Sequence, residues 1–248
     1  MKRVSILMIF ILIGLTFIHA QKSSRTEVYK GKDGKEIKLH LYGHASLAIE
    51  ADGTMFYIDP VSGMADYSKE KRTDKIFVTH SHGDHFDMKT IKSISRPTTH
   101  IYCDKATSEK ISDMKMTAMK PGDIADLGKG VKVEAIAAYN ITEGHTKFHP
   151  KSANNCGYLF NIGKTRIYVA GDSENIEEMK SLKNIDIAFL PVNQPYTMTV
   201  EQVTDVVKAM RPTIFFPYHY GNVEEKTDMK LLEKEVKPYT SIKINNME

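Results

Sequence analysis

Seven consecutive residues, Thr79-His80-Ser81-His82-Gly83-Asp84-His85, constrain this chain more than any other stretch. They follow Ile76-Phe77-Val78, an apolar run that reads as a buried strand, so three imidazoles and a carboxylate fall within six positions at a strand end. A solvated polar loop with chance histidines is the bland alternative, and it gives no reason for such crowding. On an extended loop, His80 and His82 point to one side. Gly83 then lets the chain turn, so that Asp84 and His85 address a second point nearby. Neutral imidazole and carboxylate suit zinc, with manganese and iron as its neighbours in ligand preference.

The rest of the chain alternates hairpin and strand–helix signals. Asp52-Gly53 between Leu47–Glu50 and Met55–Ile58 predicts one hairpin, and Gly163-Lys164 between Gly157–Ile162 and Thr165–Ala170 predicts another. Asp87 should cap a helix carrying Met88, Ile91 and Ile94, stopped by Pro97. A short strand is expected near Ile101, a helix from about Asp104, an alternating strand over Val131–Ala135, and strands over Ile185–Leu190 and Thr213–Phe216. Thr199-x-x-Gln202 is a capping box that opens a helix with Val203, Val206, Val207 and Met210, and a last helix is expected from Glu224 to Val236. Residues 21–36 are polar and show no periodicity before Ile37. Hairpins mixed with strand–helix units predict a single α/β domain with mixed sheets over residues 37–248.

The amino terminus reads as an address. Met1-Lys2-Arg3 is a basic start, Ile6 to Ile18 is apolar apart from Gly14 and Thr16, and Ala20-Gln21 offers a small residue before a polar switch. Residues 1–20 therefore read as a secretory signal peptide, and the apolar run is short of the ~20 residues that span a bilayer. The mature protein is expected to be soluble and exported to the periplasm or medium, with no stable membrane anchor. Losing Lys2 and Arg3 takes the 34 basic residues to 32 against 31 acidic, a net of +1. That balance gives no case for a nucleic-acid partner, and a small-molecule substrate is expected instead. Cys103 and Cys156 are too few for a disulfide framework in 248 residues and read as buried thiols.

The loop at 79–85 resembles the His-x-His-x-Asp-His signature of the metallo-β-lactamase superfamily, and the resemblance extends from about Ile37 to Asn222. Ile58-Asp59-Pro60 is similar to that family's strand-ending aspartate, Ala170-Gly171-Asp172 to its metal-bridging carboxylate, and Phe216-Pro217-Tyr218-His219-Tyr220 to its last strand-end histidine. Gly43-His44-Ala45-Ser46, Ala138-Tyr139-Asn140 with Phe148-His149-Pro150, and Tyr196-Thr197-Met198 resemble the branch of ascorbate-6-phosphate-lactonase-like and phospholipase-D-like hydrolases. That branch carries Gly-Gly where this chain has Asn193-Gln194.

The resemblance implies a four-layer αβ/βα sandwich and a dinuclear centre of two divalent ions, zinc first, with manganese or iron as alternatives. His80, His82 and one further histidine would hold the first ion. Asp84, His85 and His219 would hold the second, and Asp172 would bridge, with Asp84 and Asp172 as the catalytic carboxylates. The further histidine stands upstream of Gly157-Tyr158, where both His145 and His149 qualify; His149 is nearer, is followed by Pro150, and is preferred. Asp59, His44, Asn193 and Tyr196 would orient ligands or meet substrate, and His40 and His100 read as structural. The implied activity is hydrolysis of an ester-like bond, a lactone or phosphodiester, by a metal-bound hydroxide. No Gly-x-Ser-x-Gly elbow competes with that reading. The alternatives are an iron-dependent oxidoreductase on the same fold and a non-catalytic exported metal-binding module.

Overall fold

In the computed structural model, which describes residues 25–221 and 226–248, two seven-stranded sheets face each other. The first runs β1 (Arg25–Lys30), β2 (Glu36–Gly43), β3 (Ser46–Ala51), β4 (Thr54–Ile58), β5 (Thr73–Val78), β6 (Ser95–Cys103) and β7 (Lys115–Ala118), in that spatial order. The second comprises β8 (Ile124–Gly128), β9 (Val131–Ala137), β10 (Cys156–Ile162), β11 (Thr165–Val169), β12 (Ile187–Pro191), β13 (Ile214–Tyr218) and β14 (Ser241–Ile242), also in chain order. Each sheet is antiparallel through its first four strands and parallel through the rest, the change falling at β4/β5 and β11/β12.

Period-two alternation decides what each face of the first sheet buries. Leu39, Leu41, Leu47, Ile49, Phe56, Ile58 and Phe77 face the second sheet, against Val133, Tyr158, Phe160 and Val169. Ala48, Met55, Tyr57, Ile76, Val78 and Ile101 face the other way, against Ile91 and Ile94 of α1 (Met88–Ile94). On the far face of the second sheet, α4 (Val200–Met210) lays down Val203, Val206, Val207 and Met210 at helical spacing, and α5 (Met229–Val236) adds Leu232 and Val236. Two short helices, α2 (Lys105–Ser108) and α3 (Glu177–Lys180), complete the set. The result is the αβ/βα sandwich that the resemblance implies.

Three boundaries differ from expectation. The polar segment before Ile37 contains β1, which pairs antiparallel with β2 and seats Tyr29 edge-on to Phe216. Its charged alternation is that of an edge strand with one face in water, so it carries no apolar signal. The last helix starts at Met229 because Asp228 accepts from the Lys230 and Leu231 amides; residues 222–225 lie outside the described residues. The strand near Ile101 starts already at Ser95, and β7 and β8 were without a strong pattern because they are mostly exposed. The signal segment at residues 1–20 also lies outside the described residues. Among the described residues, no helix is long and apolar enough to cross a membrane.

Candidate metal centre

One edge of the sandwich collects the polar strand ends. Asp59 follows β4, Thr79 and His80 follow β5, Asp172 closely follows β11, Asn193 closely follows β12, and His219 follows β13. His44 is in the turn between β2 and β3, whose order puts that turn at the same edge. His149 precedes β10, antiparallel to β11, so it arrives there from the opposite direction. Carboxyl ends of parallel strands are where open α/β sheets place ligands, because a rigid scaffold there presents freely varied loops.

Close approach across the edge has specific requirements. Gly171, at φ 67°, brings the end of β11 so near the β5 loop that a Cβ would stand 3.1 Å from that of Thr79. The Cys156 amide donates to the Thr79 carbonyl at 3.1 Å, tying the two sheets together beneath the loop. His44, Asp59 and His219 occupy left-handed backbone at φ 51°, 46° and 53°, conformations that cost energy for residues with side chains. Hydrogen bonds offset that cost. The Asp59 amide donates to Phe77, and the His44 and His219 amides donate to the carbonyls of Glu248 and Met247 on the carboxy-terminal tail.

The side chains form two clusters. Donor atoms of His80, His82 and His149 lie within 4.8 Å of one another, as do those of His44, Asp84, His85 and His219. Asp172 stands between them. Its carboxylate is 3.4 Å from His149 Nε2 and 4.0 Å from His80 Nε2 on one side, and 3.3 Å from both His85 Nε2 and His219 Nε2 on the other. Asp84 lies 3.5 Å from His219 Nε2 and 3.1 Å from His44 Nε2, with about half of its side chain exposed to the cavity. His145 goes elsewhere, turning Nδ1 toward the Glu174 carboxylate at 3.3 Å. His40 bonds Glu50 and Thr26, and His100 bonds Thr117, both away from the clusters.

The far nitrogens of His80, His85 and His149 each have an oxygen partner that fixes the tautomer, and that of His219 meets the Asn193 carboxamide. His85 Nδ1–H donates to Asp59 at 2.7 Å and His149 Nδ1–H to the Tyr196 carbonyl at 3.1 Å. Thr79 Oγ1 donates to Asp59, so it accepts from His80 Nδ1–H at 3.1 Å. The Asn193 carboxamide stands 3.0 Å from His219 Nδ1; with its oxygen toward that nitrogen it accepts the proton and its otherwise unpartnered Oδ1 is satisfied. Every Nε2 lone pair then faces the clusters. His80 Nε2 and His82 Nδ1 are 2.9 Å apart, and Nε2 of His85, His149 and His219 and Oδ1 of Asp172 are buried without hydrogen-bond partners. Orphaned buried acceptors are costly, and a shared cation satisfies them together. The nitrogen and oxygen donor set fits a borderline divalent ion.

Electrostatics separate the clusters. Burial holds the His80 and His149 imidazoles below the usual histidine range, with His85 and other neighbouring rings acting in the same sense. Burial opposes charge on His219 and His85 too, yet Asp172 with Asp84 lifts His219 to about 9, and Asp172 with Asp59 lifts His85 well above its ordinary value. Against burial, these two histidines hold Asp172 well below the carboxylate range, and the nearby His219 and His44 rings do the same for Asp84.

Two contributors escaped the sequence reading. Thr79 is plain in the loop, but spacing gives no sign that its hydroxyl joins Asp59 to His80. Glu174, fully buried, accepts from the amides of Ile141 and Thr142 as well as facing His145, and so anchors the loop that delivers His149. The only clue was an acid two residues beyond Asp172.

Residues 38–219 match the family described as the beta-lactamase superfamily domain. The chain belongs to that superfamily, among the metal-dependent hydrolases of the metallo-β-lactamase fold. A relative from Ignicoccus hospitalis, named a UPF0173 metal-dependent hydrolase, is 26% identical over 200 residues, covering 75% of this chain and 83% of its own. A Parabacteroides distasonis protein assigned as a metal-dependent hydrolase superposes with a TM-score of 0.85 at 38% identity, covering 91% of this chain and 100% of the other. Igni18, a metallo hydrolase from Ignicoccus hospitalis, superposes with a TM-score of 0.72 at 21% identity, covering 85% and 95%, a likeness of fold.

Proposed function

We propose that this protein hydrolyses an ester-like bond in a small molecule at a centre of two divalent ions, zinc first among them. His80, His82 and His149 would hold one ion, Asp84, His85 and His219 the other, and Asp172 would bridge. The observation that carries this is the Asp172 carboxylate, buried and within 4.0 Å of imidazole nitrogens from both clusters. Such a pair of ions lowers the pKa of water toward 7 and polarises the oxygen of the bond under attack.

The chain's own residues do the positioning. Asp59, Thr79, the Tyr196 carbonyl and Asn193 hold the rings so that lone pairs face the ions. His44 packs against His219 with ring centroids 3.7 Å apart and planes tilted by 37°, and braces Asp84 at the cavity. The described residues lining the cavity include no serine or cysteine. Cys103 and Cys156 are buried elsewhere, their thiols pushed up to about 12 by burial, so water is the nucleophile this site supports. The motifs around His44, His149 and Tyr196 support the lactonase-like and phospholipase-D-like branch, and residues 1–20 support export.

Elemental analysis after metal-supplemented purification should find close to two divalent ions per chain, and chelation should lower the melting temperature by removing a ligand of the native state. Turnover on a panel of esters, lactones and phosphodiesters completes the test. A metal-free protein after supplementation sinks the proposal, and iron without hydrolysis turns it toward the oxidoreductase reading.

A further inference from the structure

The cavity beside the clusters has a volume of about 410 Å³, within the roughly 300–1,000 Å³ of small-molecule sites. Its floor is polar, made by the histidines and Asp84. Its wall is not. Met64, Phe148 and Tyr196 line it, Phe148 and Tyr196 meeting edge to face with centroids 4.8 Å apart. Tyr196 remains 40% exposed, a large ring standing open at the rim, and its main-chain carbonyl is the group that holds His149. Aromatic faces and a flexible thioether grip apolar groups without demanding one shape.

Fixed positive charge is what the wall lacks. Beyond the divalent ions themselves, which hold phosphoryl as well as carbonyl oxygens, phosphate esters are recognised by Arg or Lys, by free helix amino termini or by nests of main-chain amides. No Lys or Arg is among the described residues lining the cavity. Two nearby cations are engaged: Lys110 Nζ donates to the Ser81 carbonyl at 3.1 Å, and Lys147 lies 5.1 Å from the centroid of the Phe148 ring. The helices that follow the site segments are closed by their own residues, α1 by Asp87 and α4 by the reciprocal cap of Thr199 and Gln202.

Resting on the hydrolytic reading above, we propose that the substrate is a neutral carboxylic ester or lactone whose apolar chain or ring seats against Met64, Phe148 and Tyr196, and not a phosphate ester. In the reaction, the oxygen of water bonds to the carbonyl carbon and the bond from that carbon to the alcohol oxygen breaks. The leaving oxygen takes a proton, giving one carboxylic acid and one hydroxyl; in a lactone both stay on one molecule.

The test uses the metal-loaded full chain with 4-nitrophenyl acetate, 4-nitrophenyl hexanoate and bis(4-nitrophenyl) phosphate. The hexanoate should exceed the acetate in kcat/KM by at least about tenfold, as burial of four further methylenes predicts, and both should exceed the phosphodiester. Phe148→Ala and Tyr196→Ala should each raise KM for the hexanoate by about tenfold, with kcat, metal content and melting temperature kept. Lys147→Gln should leave KM for both esters unchanged. Faster turnover of the phosphodiester, indifference to chain length, or a KM governed by Lys147 overturns the proposal. Calorimetric binding of hexanamide separates the two levels. Phe148-dependent binding without turnover of any ester keeps the apolar seat and sinks the hydrolysis; turnover without Phe148 dependence keeps the hydrolysis and sinks the seat.

Discussion

On one side of Asp172, His80, His82 and His149 meet with no carboxylate of their own; on the other, His85 and His219 meet under Asp84, Asp59 and Asp172. The residue types are the same, yet burial holds His80 and His149 below the usual histidine range, while the surrounding carboxylates lift His85 and His219 above it. The first cluster is ready to accept an ion with little proton release. The second must give up protons to do so, because an imidazole binds a metal through the lone pair that the proton occupies. Equal geometry therefore need not mean equal affinity. The carboxylates that raise the proton cost would also supply the negative charge to retain a second ion.

The largest effect should come from the residue that joins the two sides. Asp172→Ala should deplete both ions and reduce hydrolysis by at least about 10²-fold while the fold persists, since Asp172 sits on a loop beyond a strand end. Near wild-type turnover in that variant would overturn the shared centre. His149→Ala should lose roughly one metal equivalent and most activity, because a three-histidine site stripped to two holds zinc weakly. His145→Ala should keep both equivalents, since His145 faces Glu174; metal counts for the pair decide the matter, and a reversed outcome would reassign the ligand.

A smaller effect isolates the second cluster. Asp59 accepts from the Thr79 amide and hydroxyl and from His85 Nδ1–H, and an asparagine amide group would meet one of those donors head-on. Asp59→Asn should weaken the second ion by about 10–100-fold and spare the first, as read by competition with a chromophoric chelator. Equal loss from both clusters would show that Asp59 supports the loop as a whole.

The smallest effect is in pH. His219, lifted to about 9, is protonated below that value and must lose its proton to bind. Affinity of the second cluster should thus rise with pH up to about 9, by at most tenfold per unit for each displaced proton. His80 and His149 are held low, so affinity of the first cluster should be flat over the same range above pH 7. Calorimetric titration in two buffers of different ionisation enthalpy counts the protons; equal release from both clusters would erase the distinction.

Much of this centre was legible because its densest part is local. His80, His82, Asp84 and His85 are bound into one loop by chain connectivity, and spacing alone gives them two directions. Asp59, Asp172 and His219 stood out as polar residues ending apolar strands. The choice between His145 and His149 was not legible at that level, because both lie in one polar loop before β10. It depends on Glu174, which turns His145 away, and on the Tyr196 carbonyl, which draws in His149. β1 was missed for a related reason, since an edge strand is recognisable by its partner and not by its own polarity.

By itself, the sequence determined the kind of donors, the loop that carries four of them and the alternation of strands and helices, all of which rest on contacts between residues near in the chain. Tertiary structure alone decided how near the Asp172 carboxylate stands to both clusters, that Thr79 and Asp59 brace the rings from behind, and that Met64, Phe148 and Tyr196 line one cavity. Those relations join residues far apart in sequence, and they exist only once strand order and register bring separate strand ends to one edge.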